Sequence, residues 1–165
     1  ASTGPDASIV ERRGSPGRSG RASYAWPIVR ELLRPRLANV RVTVDGVVAV
    51  ADGTGQLVVA NSGRYALGHD PARAARVDDG RLDVVFLPAR GRWSMLRWSW
   101  RCRRGTHMRD PGVVYASGAC VEVSPLNGAG TPWQIDGEPV SGAAGTVTLG
   151  VLPGAIEAWL PAAGT

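Results

Sequence analysis

The sequence predicts a mainly β fold, an antiparallel β-sandwich with two additional helices. Short apolar runs recur between turn signals, most clearly Val40, Val42 and Val44 alternating with Arg41, Thr43 and Asp45. Gly 22 and Pro 12 in 165 residues favour many turns and short strands over long helices. Only two stretches, near Ile28–Leu33 and over Arg92–Arg104, read as helical.

The length fits one domain large enough for a real core, and the 44% apolar content is ordinary for a globular chain. There is no apolar run of eighteen or more residues, so no membrane-spanning helix is expected. The polar, Arg-rich first twenty residues lack the apolar core of a secretory signal. Every one of the 19 basic residues is arginine, and the net charge of +5 predicts attraction to polyanions. Cys102 and Cys120 make no disulfide framework, which fits free thiols in the cytoplasm.

Residues 1–23 read as an irregular basic lead-in, the truncated start of the domain that fills 24–165. Pro27 suits the first turn of a helix carrying Ile28, Val29, Leu32 and Leu33, and Pro35 stops it. Asp45-Gly46 then joins a hairpin, Val40–Val44 with Val47–Ala51. Asp52-Gly53-Thr54-Gly55 reads as a further turn into Leu57–Ala60. After a loop, Leu82–Leu87 reads as a buried strand, and Arg92–Arg104 as a helix ending at Gly105. Further strands are expected over Val113–Ala116, Cys120–Ser124, Thr131–Ile135, Thr146–Leu152 and Ala155–Leu160.

Several segments invite chemistry. Asp52–Gly55 is glycine-rich but leads into a strand, whereas a phosphate loop leads into a helix N-terminus, so it reads as a turn. Asp78-Asp79-Gly80 is either a solvated turn or a source of oxygen ligands for Mg²⁺. On the Arg92–Arg104 helix, Trp93, Leu96 and Trp100 share one face, and Met95, Trp98 and Cys102 nearly the opposite one, with Arg97, Arg101 and Arg104 between. One apolar face suffices for a core contact; the second would meet lipid, an anionic membrane surface or a neighbouring domain. Trp93, Arg97, Trp98 and Arg101 are the candidate contacts. His69 and His107 lack companions at zinc-ligand spacing. The arginines are scattered between strands, so no nucleic-acid partner is expected. Trp133-Gln134-Ile135-Asp136-Gly137-Glu138-Pro139 places a carboxylate just past an Asp-Gly turn.

Taken in order, these residues resemble the C-terminal half of the bacterial diacylglycerol kinase and related lipid kinase family. Ala75-Arg76-Val77-Asp78-Asp79-Gly80-Arg81-Leu82-Asp83-Val84 is similar to that family's Ala-x-Leu-Asp-Asp-Gly-x-Leu-Asp-Val pattern. Gly4-Pro5-Asp6-Ala7, Asn61-Ser62-Gly63-Arg64-Tyr65, Gly105-x-His107 and Trp133–Glu138 complete the series. The family's Tyr-Gly-Gly-Gly becomes Tyr65-Ala66-Leu67-Gly68, and its Gly-Gly-Asp-Gly-Thr nucleotide module does not occur here.

The resemblance implies a β-sandwich closing over an N-terminal nucleotide-binding domain absent from this chain, with a lipid substrate such as diacylglycerol between them. It implies ATP as co-substrate and Glu138 as general base toward the acceptor hydroxyl. Asp79, with the backbone carbonyls of Arg76 and Arg81, falls where the family has a structural Mg²⁺ site. A cytoplasmic protein, peripheral to the membrane, is the corresponding expectation. The alternative is a non-catalytic lipid- or membrane-binding β-sandwich lacking the kinase module.

Overall fold

A computed structural model describes residues 1–13, 30–31, 34–64, 68–127, 132–140 and 145–156. Among them, nine strands form one curled antiparallel sheet: β1 (Ser2–Thr3), β2 (Ala38–Val44), β3 (Val47–Ala60), β4 (Leu82–Pro88), β5 (Val114–Gly118), β6 (Cys120–Pro125), β7 (Trp133–Ile135), β8 (Glu138–Val140) and β9 (Val147–Gly150). The main path runs β8-β7-β1-β3-β2-β6-β9, and β4 pairs with both β3 and β5. Among the described residues, helices α1 (Pro5–Arg13) and α2 (Arg92–Arg104) accompany the sheet, with a 3₁₀ turn over His107–Arg109. The mainly β, sandwich-like prediction holds.

The alternating valines behave as their period dictates: Val40, Val42 and Val44 are buried, with Arg41 outside. They join Leu57 and Val59 of β3, Leu82, Val84 and Phe86 of β4, Val121 and Val123 of β6, and Trp133 in the main core. Because the sheet curls, strands from its two halves contribute to one apolar interior. Strand β4 is buried throughout from Leu82 to Leu87, since its other face is covered by α2. Val85 and Leu87 there meet Met95, Trp98 and Cys102 in a second, smaller core.

Two segments depart from the sequence-based expectation. Asp52–Gly55 is no turn: β3 runs unbroken through it for 14 residues, pairing first with β2 and then with β4. Its glycines serve packing. A Cβ at Gly53 would stand 2.6 Å from the Phe86 ring, and one at Gly55 would collide with the Leu87 carbonyl oxygen. Residues 1–13 are not an irregular lead-in either. Ser2–Thr3 is inserted between β3 and β7, and the following helix packs Ala7 and Val10 inward.

Of the helix expected over 28–33, Arg30 and Glu31 are helical, and 28–29 and 32–33 lie outside the described residues. Ala155 and Ile156 are not in a strand; the rest of the strand expected over Ala155–Leu160 lies outside them too.

Candidate functional site

Ile135 pairs with Glu138 across Asp136-Gly137, so β7 and β8 form a hairpin with a two-residue turn. Asp136 and Gly137 have φ of 50° and 87°, the left-handed pair of a type I′ turn, whose twist matches that of the strands. By register and period, Trp133, Ile135, Glu138 and Val140 fall on one face, and Gln134 and Pro139 on the other. Trp133 is buried, whereas Ile135, Glu138 and Val140 are exposed. The Glu138 carboxylate thus stands in solvent beside two apolar side chains.

The opposite face fixes the turn. Gln134 is 4% exposed. Its Nε2 donates to Ser2 Oγ at 2.7 Å and to Asp6 Oδ2 at 3.2 Å, and its Oε1 accepts the Gly137 N–H at 2.7 Å. Ser2 Oγ in turn donates to Asp6 Oδ2 at 2.6 Å. Thr3 Oγ1 donates to the Pro132 carbonyl at 2.7 Å. Both ends of the Gln134 amide are used, so the residue before Glu138 is bonded to a side chain that is itself bonded to β1 and α1. Asp6 and Gln134 lie in the motifs Gly4–Ala7 and Trp133–Glu138, but no local signal joins partners as far as 132 residues apart.

The second acidic turn precedes β4. Asp78 pairs with Arg76, Nε to Oδ1 at 3.1 Å and Nη2 to Oδ2 at 3.2 Å, on the exposed surface. That hydrogen bond and charge hold the Asp78 carboxyl below its usual range. Asp79 Oδ1 accepts the Arg81 N–H at 3.0 Å around Gly80, whose φ is 68°. The Arg81 guanidinium reaches Ser117, donating from Nε to Oγ at 3.0 Å and from Nη2 to the carbonyl. Behind it, buried Asp83 accepts from the Tyr115 hydroxyl, which raises the phenol's pKa.

Among the described residues no group of three or more His, Cys, Asp or Glu side chains could hold a metal. A Mg²⁺ near Asp79 would rest on one carboxylate, backbone carbonyls and water. That sparse donor set fits a cation which keeps much of its hydration shell.

Both acidic turns leave the sheet at the same end, because the Gln134 row continues through Ser2 and Val58 to Val85. Four strand steps, β8-β7-β1-β3-β4, separate them, roughly 19 Å along the sheet. A cation at Asp79 would thus sit four strand steps along the curled sheet from Glu138.

Helix α2 begins after Gly91, where Ser94 Oγ accepts the N–H groups of Arg90 (3.0 Å) and Gly91 (3.2 Å). It ends at Gly105, with φ 65°. Arg73 caps the end by donating to the carbonyls of Cys102 (3.1 Å) and Arg103 (2.9 Å). The inward face is Met95, Trp98 and Cys102. Burial pushes the Cys102 thiol up to about 11.

Trp98, expected at a surface contact, is instead 2% exposed and donates Nε1–H to the Pro88 carbonyl at 2.6 Å. It belongs to the core. Arg97 and Arg101 both bind Asp110. The Gly112 N–H, followed by these two guanidiniums, holds that carboxyl below its ordinary value.

The outward face is Trp93, 73% exposed, with Leu96 and Trp100 at 40% and 54%. The Arg104 guanidinium lies 4.0 Å from the Trp100 ring centroid, and Arg92 lies 5.3 Å from that of Trp93. His69 Nε2 meets Ser99 Oγ at 2.7 Å, and buried His107 Nε2 meets the Pro71 carbonyl at 2.7 Å. No helix among the described residues is long and apolar enough to cross a membrane.

Residues 1–159 match the sequence model of the YegS C-terminal NAD kinase beta sandwich-like domain. Two solved structures from Bacillus anthracis str. Sterne, described as of a diacylglycerol kinase, share the fold. One is 13% identical with a TM-score of 0.57, covering 88% of this chain and 46% of that one. The other is 12% identical with a TM-score of 0.53, covering 79% and 42%. This chain therefore spans less than half the length of either. No curated protein matches it.

Proposed function

Because the chain belongs to the family of the YegS C-terminal NAD kinase beta sandwich-like domain, we propose that it is the substrate-side domain of an ATP-dependent lipid kinase. The acceptor is the hydroxyl of diacylglycerol or a similar lipid, and ATP is bound mainly by an N-terminal nucleotide-binding domain on the cytoplasmic side. The observation that carries this reading is the family match along residues 1–159.

Glu138 is the group assigned to chemistry. Its carboxylate is exposed, follows an anchored turn, and sits beside Ile135 and Val140, which offer apolar surface to an acyl chain. It would accept the proton of the acceptor hydroxyl as that oxygen attacks the γ-phosphorus of ATP, with the proton passing to a Glu138 oxygen and ADP leaving. Phosphoryl transfer depends chiefly on positioning and charge neutralisation, and a placed general base contributes about 10²–10⁴-fold. Gln134, Ser2 and Asp6 position the turn and so act through Glu138. Mg²⁺ held by Asp79 and the carbonyls of Arg76 and Arg81 would brace the turn before β4. Its binding would be read as a rise in melting temperature with added Mg²⁺ that Asp79→Asn removes.

The test is transfer of label from γ-labelled ATP to diacylglycerol in mixed micelles by the natural protein that contains this chain. Wild type is expected to form labelled phosphatidate, and Glu138→Gln to form on the order of 10²–10⁴-fold less with an unchanged melting temperature. Failure to label any long-chain alcohol would overturn the kinase reading in favour of a non-catalytic lipid-binding sandwich. Normal turnover by Glu138→Gln would overturn the residue's role alone.

A further inference from the structure

The outer face of α2 is left over by the fold and takes no part in the chemistry assigned to Glu138. Its inner residues fill the second core, yet Trp93, Leu96 and Trp100 repeat at i, i+3, i+7 on the solvent side. From Ala89 to Arg109 there is no acidic residue. Asp110, just beyond, is taken by Arg97 and Arg101. Arg92, Arg103 and Arg104 are exposed around the apolar strip, two of them lying against its indoles. Met108 is 45% exposed just past the helix.

We infer that this face is a docking surface for an anionic lipid bilayer, with Trp93, Leu96 and Trp100 entering the interface and the arginines at the headgroups. Two arguments select a membrane over a protein or nucleic acid. The first is size. A helix of 13 residues presents a footprint roughly 20 Å by 10 Å, about 200 Å², where a stable protein interface needs about 800 Å² per partner.

The second is composition. Indoles prefer the boundary between acyl chains and headgroups, and arginine keeps its charge in the headgroup layer while its stem lies along apolar surface. Leu96 and Met108 would have nothing to stack on in a nucleic-acid groove. The helix would lie in the plane of the bilayer, with the Met95–Trp98–Cys102 face still packed on β4. This surface stands on the exposed side chains alone and does not depend on the lipid-kinase reading.

The experiment is co-sedimentation of the natural protein with vesicles of phosphatidylcholine alone or of equal parts phosphatidylcholine and phosphatidylglycerol, across a range of salt. Binding is expected to the anionic vesicles only, and to weaken as salt shortens the screening length from about 10 Å at 0.1 M to about 3 Å at 1 M. Each arginine near an anionic surface contributes about fivefold. The triple variant Arg92→Gln, Arg103→Gln, Arg104→Gln should therefore lose on the order of 100-fold in partitioning.

Trp93→Ser with Trp100→Ser should lose on the order of tenfold or more, including whatever binding persists at high salt. All five positions are outside the core, so melting temperatures should not move, and Glu138→Gln should bind vesicles as wild type does. Equal binding to neutral and anionic vesicles, or wild-type binding by either variant, would overturn the inference. So would loss, in the arginine variant, of binding to a short RNA while vesicles are ignored, or a concentration-dependent dimer abolished by the tryptophan variant.

Discussion

The two acidic turns at one end of the sheet look alike in sequence and differ in what surrounds their carboxylates. Asp78-Asp79-Gly80 and Asp136-Gly137-Glu138 each turn on a glycine with positive φ, 68° and 87°. In the first, the charges are used at home: Asp78 pairs with Arg76, and Asp79 accepts the Arg81 N–H. In the second, the turn is held from behind by Gln134, and Glu138 is directed into solvent past the turn. A carboxylate that satisfies its own loop stabilises a loop. One whose loop is held by other residues is available to a ligand.

Substitutions at matched positions of the two turns can break or sharpen this contrast. The largest expected effect is Glu138→Gln, a 10²–10⁴-fold loss of lipid phosphorylation with unchanged stability; the corresponding Asp79→Asn should leave the rate within a few-fold. Next is Gln134→Ala, which strips partners from Ser2, Asp6 and the Gly137 N–H. Ser2 and Asp6 keep each other and the Gly137 N–H lies at the surface, so the cost is that of the hydrogen bonds themselves, about 0.5–1.5 kcal/mol each in chemical denaturation, and phosphorylation should fall with it.

Gly137→Ala and Gly80→Ala form a matched pair, each forcing a Cβ into the left-handed region at about 1 kcal/mol. A Cβ at Gly137 meets nothing within 4 Å, and one at Gly80 touches Pro153 at an ordinary 3.4 Å. Their melting temperatures should drop alike, but only Gly137→Ala should slow catalysis. If both slow it equally, the contrast between the turns is wrong.

The smallest effect is Arg76→Ala, which removes one side of an ion pair already in solvent and should leave stability close to that of wild type. The sign of its pH dependence follows from the depressed Asp78 carboxyl: the pair contributes above the unfolded carboxylate range and is lost as pH falls through the folded value. Wild type and Arg76→Ala should therefore converge in acid, which paired pH melts would show.

What was legible in the sequence depended on the range of the cause. The Asp45-Gly46 hairpin, the buried strand before Pro88 and the helix ending at Gly105 are set by neighbours in sequence, and their period and caps declared them. Gly53 and Gly55 look like a turn in sequence because their reason lies on another strand, in the ring of Phe86 and the carbonyl of Leu87. Strand β1 has two residues and no period to read; its identity comes from pairing with Val58 and Gln134. On α2 the spacing separated two apolar faces, but both carry tryptophan, so spacing alone did not say that Trp98 faces β4 and Trp100 faces solvent. At the proposed site, the ordered motifs of a family single out Glu138 in the sequence, whereas the hydrogen bonds among Gln134, Ser2 and Asp6 exist only once residues 132 positions apart are adjacent.

We assign Glu138, on its anchored hairpin, as the reacting carboxylate of a lipid kinase. Its most direct test is the initial rate of label transfer from γ-labelled ATP to diacylglycerol by the natural protein, with wild type, Glu138→Gln and Asp79→Asn side by side and their melting curves recorded. A fall of at least about a hundredfold is expected for Glu138→Gln alone, with three matching melts in the absence of Mg²⁺. Wild-type turnover by a folded Glu138→Gln protein, or an equal fall in Asp79→Asn, would contradict it.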